Sequence, residues 1–285
     1  MMVMAADTPL PKGFSAELSV GRFARYNATG SIQITLAGNH LSMPMDIEAE
    51  IRVAIVGEEE IDKKAYWWQE SDVQLKAKSE ELGTATRTAR VKWLVPRDDL
   101  LAGKRMRLDP GGLQPKKILM SLDGDPTLEI SVDDFDSFER ENPYFFLLNS
   151  INLSSLKFVK REPLKTKAGA YDTYRYYVDQ RYEYYKDDSR NAAASGSIAG
   201  SSVSKPVKET PQYSLAIDGD LWVSDDVPFA VTSSNLDLHS SIAVGKDLSG
   251  GDRSIRIASR VQLDLLETGD NATTWIEEIH EPPKS

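Results

Sequence analysis

The stretch GDLWVSDDVPFAV, residues 219–231, joins a run of β-forming residues to two aspartates and a proline. Leu221 to Ser224 predicts a strand, and Asp218-Gly219 can turn the chain before it. Proline favours an extended residue before it, so Val227-Pro228 predicts an extended exit from the strand. We therefore expect a strand and a corner here, with the next strand beginning in FAVTSSNLDL at residue 229.

Alternation of apolar and polar residues continues outward from this stretch through most of the chain. The longest alternating run goes from Leu41 to Ile55 and predicts an unusually long strand. Pro44 within it indicates an edge position or a bulge, because proline cannot donate a ladder hydrogen bond. The same pattern predicts strands at 14–20, 32–36, 73–76, 89–95, 118–122, 128–132, 173–185, 212–218 and 255–265. The predicted fold class is α+β, mostly β, with a long antiparallel sheet.

Few segments have a sequence pattern that predicts a helix. PRDDLLAGK (96–104) has acidic residues near its start and Gly103 as a stop, which predicts one or two helical turns. Residues 135–156 are the best candidate for a longer helix, because Pro143 suits a first turn ahead of YFFLLNSI. Residues 191–209 are rich in Ser, Ala and Gly and predict a flexible insert between neighbouring antiparallel strands. We expect one domain over residues 11–280.

Composition narrows the function classes. The net charge of −10 and the pI near 5.0 argue against binding to a nucleic-acid backbone. The absence of cysteine excludes thiolate zinc sites, disulfides and cysteine nucleophiles, and it suits either the cytosol or an oxidising compartment. No apolar run is long enough for a membrane-spanning helix. Residues 1–10 are either the remnant of a signal peptide or a flexible N-terminus, and we favour export.

The sequence carries no catalytic or metal-binding pattern, and it implies no cofactor. His40, His239 and His280 lie in different regions without a partner at helical spacing, which favours surface or turn positions. Adjacent aspartates such as Asp225 and Asp226 point to opposite faces of a strand, so they are poor acid–base pairs. We expect a protein that is not an enzyme.

Aromatic residues are the strongest candidates for binding. Seven of the eleven tyrosines lie between positions 171 and 185. On a strand, Tyr174 and Tyr176 share one face while Tyr177 takes the other. Two interpretations stay open. The strand either packs on a helix with its tyrosine hydroxyl groups exposed to solvent, or it forms one wall of an amphipathic ligand cleft.

The tryptophans are the second group of aromatic residues considered as candidates for binding. Trp93 and Trp222 lie within alternating runs and are predicted to be interior. Trp67 and Trp68 must face opposite sides if their segment is extended, so one of them is expected to be exposed.

Two segments together carry a family resemblance. KREPLKTKAGAYDTYRYYV (160–178) has a glycine followed by an aromatic residue and a threonine, and it leads into a strand. LWVSDDVPFAV (221–231) supplies a strand and corner of the form WVS-D-VP. This combination resembles the LolA-like periplasmic lipoprotein-carrier superfamily, mainly over residues 157–266. The insert at 191–209 is not part of that pattern.

The resemblance implies an open half-barrel, formed by a long curved antiparallel sheet with one or two helices packed on its concave side. It also implies non-enzymatic binding of a lipid or lipoprotein acyl chain on the concave face, in the periplasm. Trp222 would anchor that face, and the strand would end at a structural corner formed by Asp225, Asp226 and Pro228. The candidate ligand-binding residues are Trp93, Tyr174, Tyr176 and Trp222.

A second hypothesis is a protein-interaction module. An envelope sensor or assembly factor could bind a partner protein through a sheet edge and the Tyr-rich strand.

Overall fold

A computed structural model describes residues 18–36, 41–101, 114–131, 156–184, 213–246 and 252–276. Eleven strands and one short helix lie within these ranges. They are β1 (Phe23–Leu36), β2 (Leu41–Ile61), β3 (Lys64–Ser79), β4 (Gly83–Pro96), α1 (Arg97–Leu101), β5 (Lys117–Leu122), β6 (Leu128–Ile130), β7 (Lys157–Lys165), β8 (Ala170–Tyr184), β9 (Tyr213–Val223), β10 (Val231–Lys246) and β11 (Asp252–Gly269).

All eleven strands belong to one antiparallel sheet with the order β6-β5-β4-β3-β2-β1-β11-β10-β9-β8-β7. The first six strands therefore form one meander and the last five form another, and β1 pairs with β11 where the meanders meet. The sheet is open, with β6 and β7 at its two ends. The predicted mostly-β fold with a long antiparallel sheet is confirmed.

Strand β2 is the predicted long strand, and it extends over 21 residues. Pro44 lies opposite Gln33 of β1, whereas the pairing with β3 begins only at Asp46. Proline therefore occupies a place where β2 is locally an edge on the β3 side, as its missing N–H requires.

Alternation gives the sheet two chemically distinct faces. The core face carries apolar side chains from every long strand, and Tyr26, Leu263 and Leu221 on it are almost fully buried. The outer face carries charged cross-strand pairs, such as Arg175 with Asp220 and Arg260 with Asp237. A shift of any strand by one residue would exchange these two sets, so burial of the core face fixes the register.

The turn predicted at Asp218-Gly219 is wrong, because both residues lie inside β9. Gly219 has a φ of 137°, and a Cβ built on it would lie 2.2 Å from the carbonyl oxygen of Asn235 on β10. Gly30 of β1 is in the same cross-strand row and approaches the carbonyl of Arg260 in the same way. Glycine here allows adjacent backbones to come close, and such positions let a sheet curve.

The predicted corner is confirmed, although β10 begins at Val231 rather than at residue 229. Ser224 N donates to the Ala230 carbonyl at 2.8 Å, and Ala230 N donates to the Val227 carbonyl at 2.9 Å. Phe229 and Ala230 have φ values of 61° and 63°. Pro228 is buried in the corner, and Asp226 is exposed beside it. The chain thus reverses inside the protein between β9 and β10.

Other predictions have mixed outcomes. Helix α1 confirms the short helix, and the antiparallel pairing of β8 with β9 confirms that the insert joins neighbouring strands. Residues 18–20 are not in a strand, which corrects the end of the strand predicted at 14–20. The N-terminal segment, the insert itself and the helix predicted at 135–156 lie outside the described residues, except for Leu156.

The segment that follows β11 packs on the outer face of the first meander. The buried carboxylate of Glu70 accepts hydrogen bonds from Trp275 N at 3.1 Å and Ile276 N at 3.2 Å. The guanidinium of Arg52 lies 3.4 Å from Glu70 and 4.3 Å from the centre of a Trp275 ring. Charge pairing and hydrogen bonding together compensate the burial of Glu70.

We predict that Gly219→Ala lowers the free energy of unfolding by about 3 kcal/mol or more, because it adds a backbone clash to an unfavourable φ. The matched control is Gly83→Ala, which has a φ of 76° but open space around its Cβ. The control is expected to lose only about 1–2 kcal/mol. Urea unfolding followed by tryptophan fluorescence measures both, and equal losses would contradict the close approach described here.

Candidate functional site

The candidate residues Trp93, Tyr174 and Tyr176 lie on the core face. Trp93 of β4 is 1% exposed and Tyr176 of β8 is fully buried, while Tyr174 is half-buried. Six strands separate β4 from β8 in the sheet order, so these residues mark the two wings of one apolar face.

Trp222 lies on the outer face, although the sequence predicted it to be interior and to anchor the ligand-binding face. Its neighbour Leu221 is buried on the core face, so alternation points Trp222 the other way. The indole N–H donates to Glu162 at 3.0 Å, and the guanidinium of Arg175 lies 5.1 Å from the ring centre. Trp222 therefore belongs to an outer-face polar cluster with β7 and β8.

The Tyr-rich strand divides as predicted. Tyr176 packs edge-to-face on Phe158 at 5.8 Å on the core face. Tyr177 lies on the outer face, where its hydroxyl donates to the carboxylate of Asp218 at 2.5 Å. Burial raises the pKa of Tyr176 to about 12, and the hydrogen bond to Asp218 raises the pKa of Tyr177 to about 12. Both phenols stay neutral at physiological pH.

Three serines of β10 and β11 are core-face residues that the sequence analysis missed. Ser234, Ser240 and Ser259 are at most 6% exposed. Their hydroxyls have no hydrogen-bond partner within the described ranges. Ser240 and Ser259 are diagonal neighbours on adjacent strands, which places them about 7–8 Å apart. The signal available in the sequence is polar residues at positions where alternation demands apolar ones.

Among residues 18–276 that the structure describes, no three histidine, aspartate or glutamate side chains are grouped closely enough to hold a metal ion. His239 is exposed on the outer face, and His40 and His280 lie outside the described residues. In the same parts of the chain, no helix has the length and apolar character needed to cross a membrane.

No protein-family model and no curated protein matches the sequence. Among solved structures, the chain is similar to a "putative lipoprotein" from Parabacteroides distasonis, with 9% identity, 91% of this chain and 99% of that chain covered, and a TM-score of 0.27. It is also similar to DynF from the dynemicin biosynthesis pathway of Micromonospora chersina, with 10% identity, 88% and 86% coverage and a TM-score of 0.26.

A third similar structure is a "putative exported protein with YmcC-like fold" from Bacteroides fragilis, with 9% identity, 90% and 99% coverage and a TM-score of 0.25. With TM-scores between 0.25 and 0.27, these likenesses carry no argument about the fold or the function of this chain.

We predict that the stability contributed by the Tyr176 phenol is complete below pH 10 and is lost as the pH rises toward about 12, because the unfolded phenol ionises first. Tyr176→Phe removes this ionisation. Its stability relative to the unmutated protein should therefore improve by up to about 2 kcal/mol between roughly pH 9 and pH 11.5. Urea unfolding across this range measures the effect, and a constant difference between the two proteins would contradict it.

Proposed function

We propose that this chain binds an amphipathic ligand, such as a lipid or a lipoprotein acyl chain, on the core face of its sheet and catalyses no reaction. The extent of the apolar face supports this proposal, as does the resemblance of residues 157–266 to LolA-like carriers. The same resemblance leads us to place the protein in the bacterial periplasm.

The observation that carries the proposal is the set of unpartnered serine hydroxyls. A buried hydroxyl without a hydrogen bond costs about 1–3 kcal/mol, and an unliganded core gains nothing from three of them. A ligand head group would supply the missing partners for Ser240 and Ser259. Its hydrocarbon part would lie on the neighbouring apolar side chains, such as Leu238 and Val261.

The energetics suit reversible binding. Burying about ten methylene groups of an acyl chain contributes roughly 8 kcal/mol before the costs of association are subtracted. The net affinity is then micromolar or weaker, which suits a carrier that must release its ligand. Binding and release of such a ligand need no catalytic residue.

A second candidate function is protein binding at the β7 edge. Phe158 and Val159 of β7 are 42% and 47% exposed, although both are large apolar residues. Strand β8, which carries the tyrosines, is covered on its two sides by β7 and β9. An extended partner segment would therefore add to β7 rather than to the Tyr-rich strand.

The test of ligand binding is a titration of the purified protein with a fluorescent fatty acid. Ser240→Ala combined with Ser259→Ala should weaken binding by about tenfold, because two hydrogen bonds to the head group are lost. The stability of the free protein should hold or rise, because two unpartnered hydroxyls are removed. Ser31→Ala, on the exposed outer face of β1, is the matched control and should bind normally.

Failure of the unmutated protein to take up the fatty acid would overturn the proposal, as would equal affinities of the double variant and the control. In that event, loss of binding to an envelope protein on Val159→Asp, at an exposed residue in the β7 bulge, would support the second candidate instead.

A further inference from the structure

A groove of about 490 Å³ opens on the outer face, near one end of the strands that it crosses. It crosses β1, β11, β10, β9 and β8, and its volume falls in the range of small-molecule sites. The side chains that matter for its chemistry are Gln33, Arg181, Ser214, Ala216, His239 and Arg256.

Strand register explains how the groove forms. One cross-strand row runs from Gln33 through Ala258, His239 and Ala216 to Arg181. Ala258 and Ala216 are the small side chains of this row, and they leave space on either side of His239, between the long side chains at the ends of the row. Arg256 belongs to the next row, diagonal to His239 and about 7–8 Å from it.

The two arginines differ from their neighbours on the same face. Arg175 and Arg260 each form an ion pair with an aspartate. Arg181 and Arg256 have no ion-pair or hydrogen-bond partner in the described part of the chain, although the protein carries a net charge of −10. Glu183, two residues along β8 from Arg181, is the one carboxylate among the described residues of the lining, and it makes an interaction of its own.

We propose that this groove binds a small molecule that carries a carboxylate or a phosphate group. Guanidinium groups match both oxyanions through paired hydrogen bonds. Gln33, Ser214 and His239 add further hydrogen-bonding groups, and Ala216 and Ala258 offer apolar contacts for the body of the molecule.

The arginines stand on β8 and β11, which are separated by three strand spacings or roughly 14 Å. A ligand with an acidic group at one end and a polar or second acidic group at the other would reach both. This site lies on the face opposite to the proposed acyl-chain surface, so either proposal can fail without the other.

The test uses the whole protein and two probes, citrate for carboxylates and inorganic pyrophosphate for phosphates. Each is titrated at low salt by calorimetry, while two-dimensional NMR follows the Nε–Hε signals of Arg181 and Arg256. We expect at least one probe to shift both signals saturably. Arg181→Gln and Arg256→Gln should each weaken binding by about tenfold or more, since each removes a charged hydrogen bond.

Lys165→Gln is the matched control, because it removes one positive charge from an exposed position far from the groove. Lys165 of β7 pairs with Ala170, at the opposite end of β8 from Arg181. It should leave the affinity within about twofold, as expected for screened long-range charge. Binding of one probe alone identifies the acid group that the site selects. The proposal is overturned if neither probe shifts the arginine signals, or if the control weakens binding as much as the arginine variants do.

Discussion

The pairing of β1 with β11 joins two antiparallel meanders from opposite ends of the chain into one sheet. Phe23 lies opposite Gly269, and Leu36 lies opposite Ile255. Closing so long a loop costs roughly 5 kcal/mol of chain entropy. Tyr26 and Leu265 face each other across this pair and are wholly buried, and burial of each contributes about 1.5–3 kcal/mol. Burial of such pairs offsets part of the entropy cost of joining the two meanders.

Once that register is set, alternation assigns a separate chemistry to each face. The core face gathers apolar side chains from both meanders around the buried hydroxyls of Ser240 and Ser259. The outer face gathers charges that pair across strands, such as Arg260 with Asp237, and it leaves Arg181 and Arg256 beside a groove that contains two alanines and His239. Both proposed sites thus arise from cross-strand neighbours rather than from any local motif.

Because both sites depend on how distant strands pair, only some features of the molecule could be predicted from the sequence. Period-two alternation predicted β2 and most other strands, whereas the largely exposed β7 shows no such pattern and was missed. Asp218-Gly219 resembles a turn, but Gly219 is needed for close packing of strands inside β9. Trp222 was assigned to the wrong face because one strand alone does not say which of its faces is buried. The serine hydroxyls and the groove depend on register, which becomes known only when strands from distant parts of the chain are paired.

The proposal that the core face holds an amphipathic ligand can be tested by looking for that ligand on the purified protein. The experiment is native mass spectrometry with lipid extraction, on protein purified from its own envelope fraction. If the proposal is right, the measured mass exceeds that of the chain by one acyl lipid per protein, and extraction recovers that lipid. Protein that carries no lipid, and that also fails to retain an acyl lipid added before purification, would contradict it.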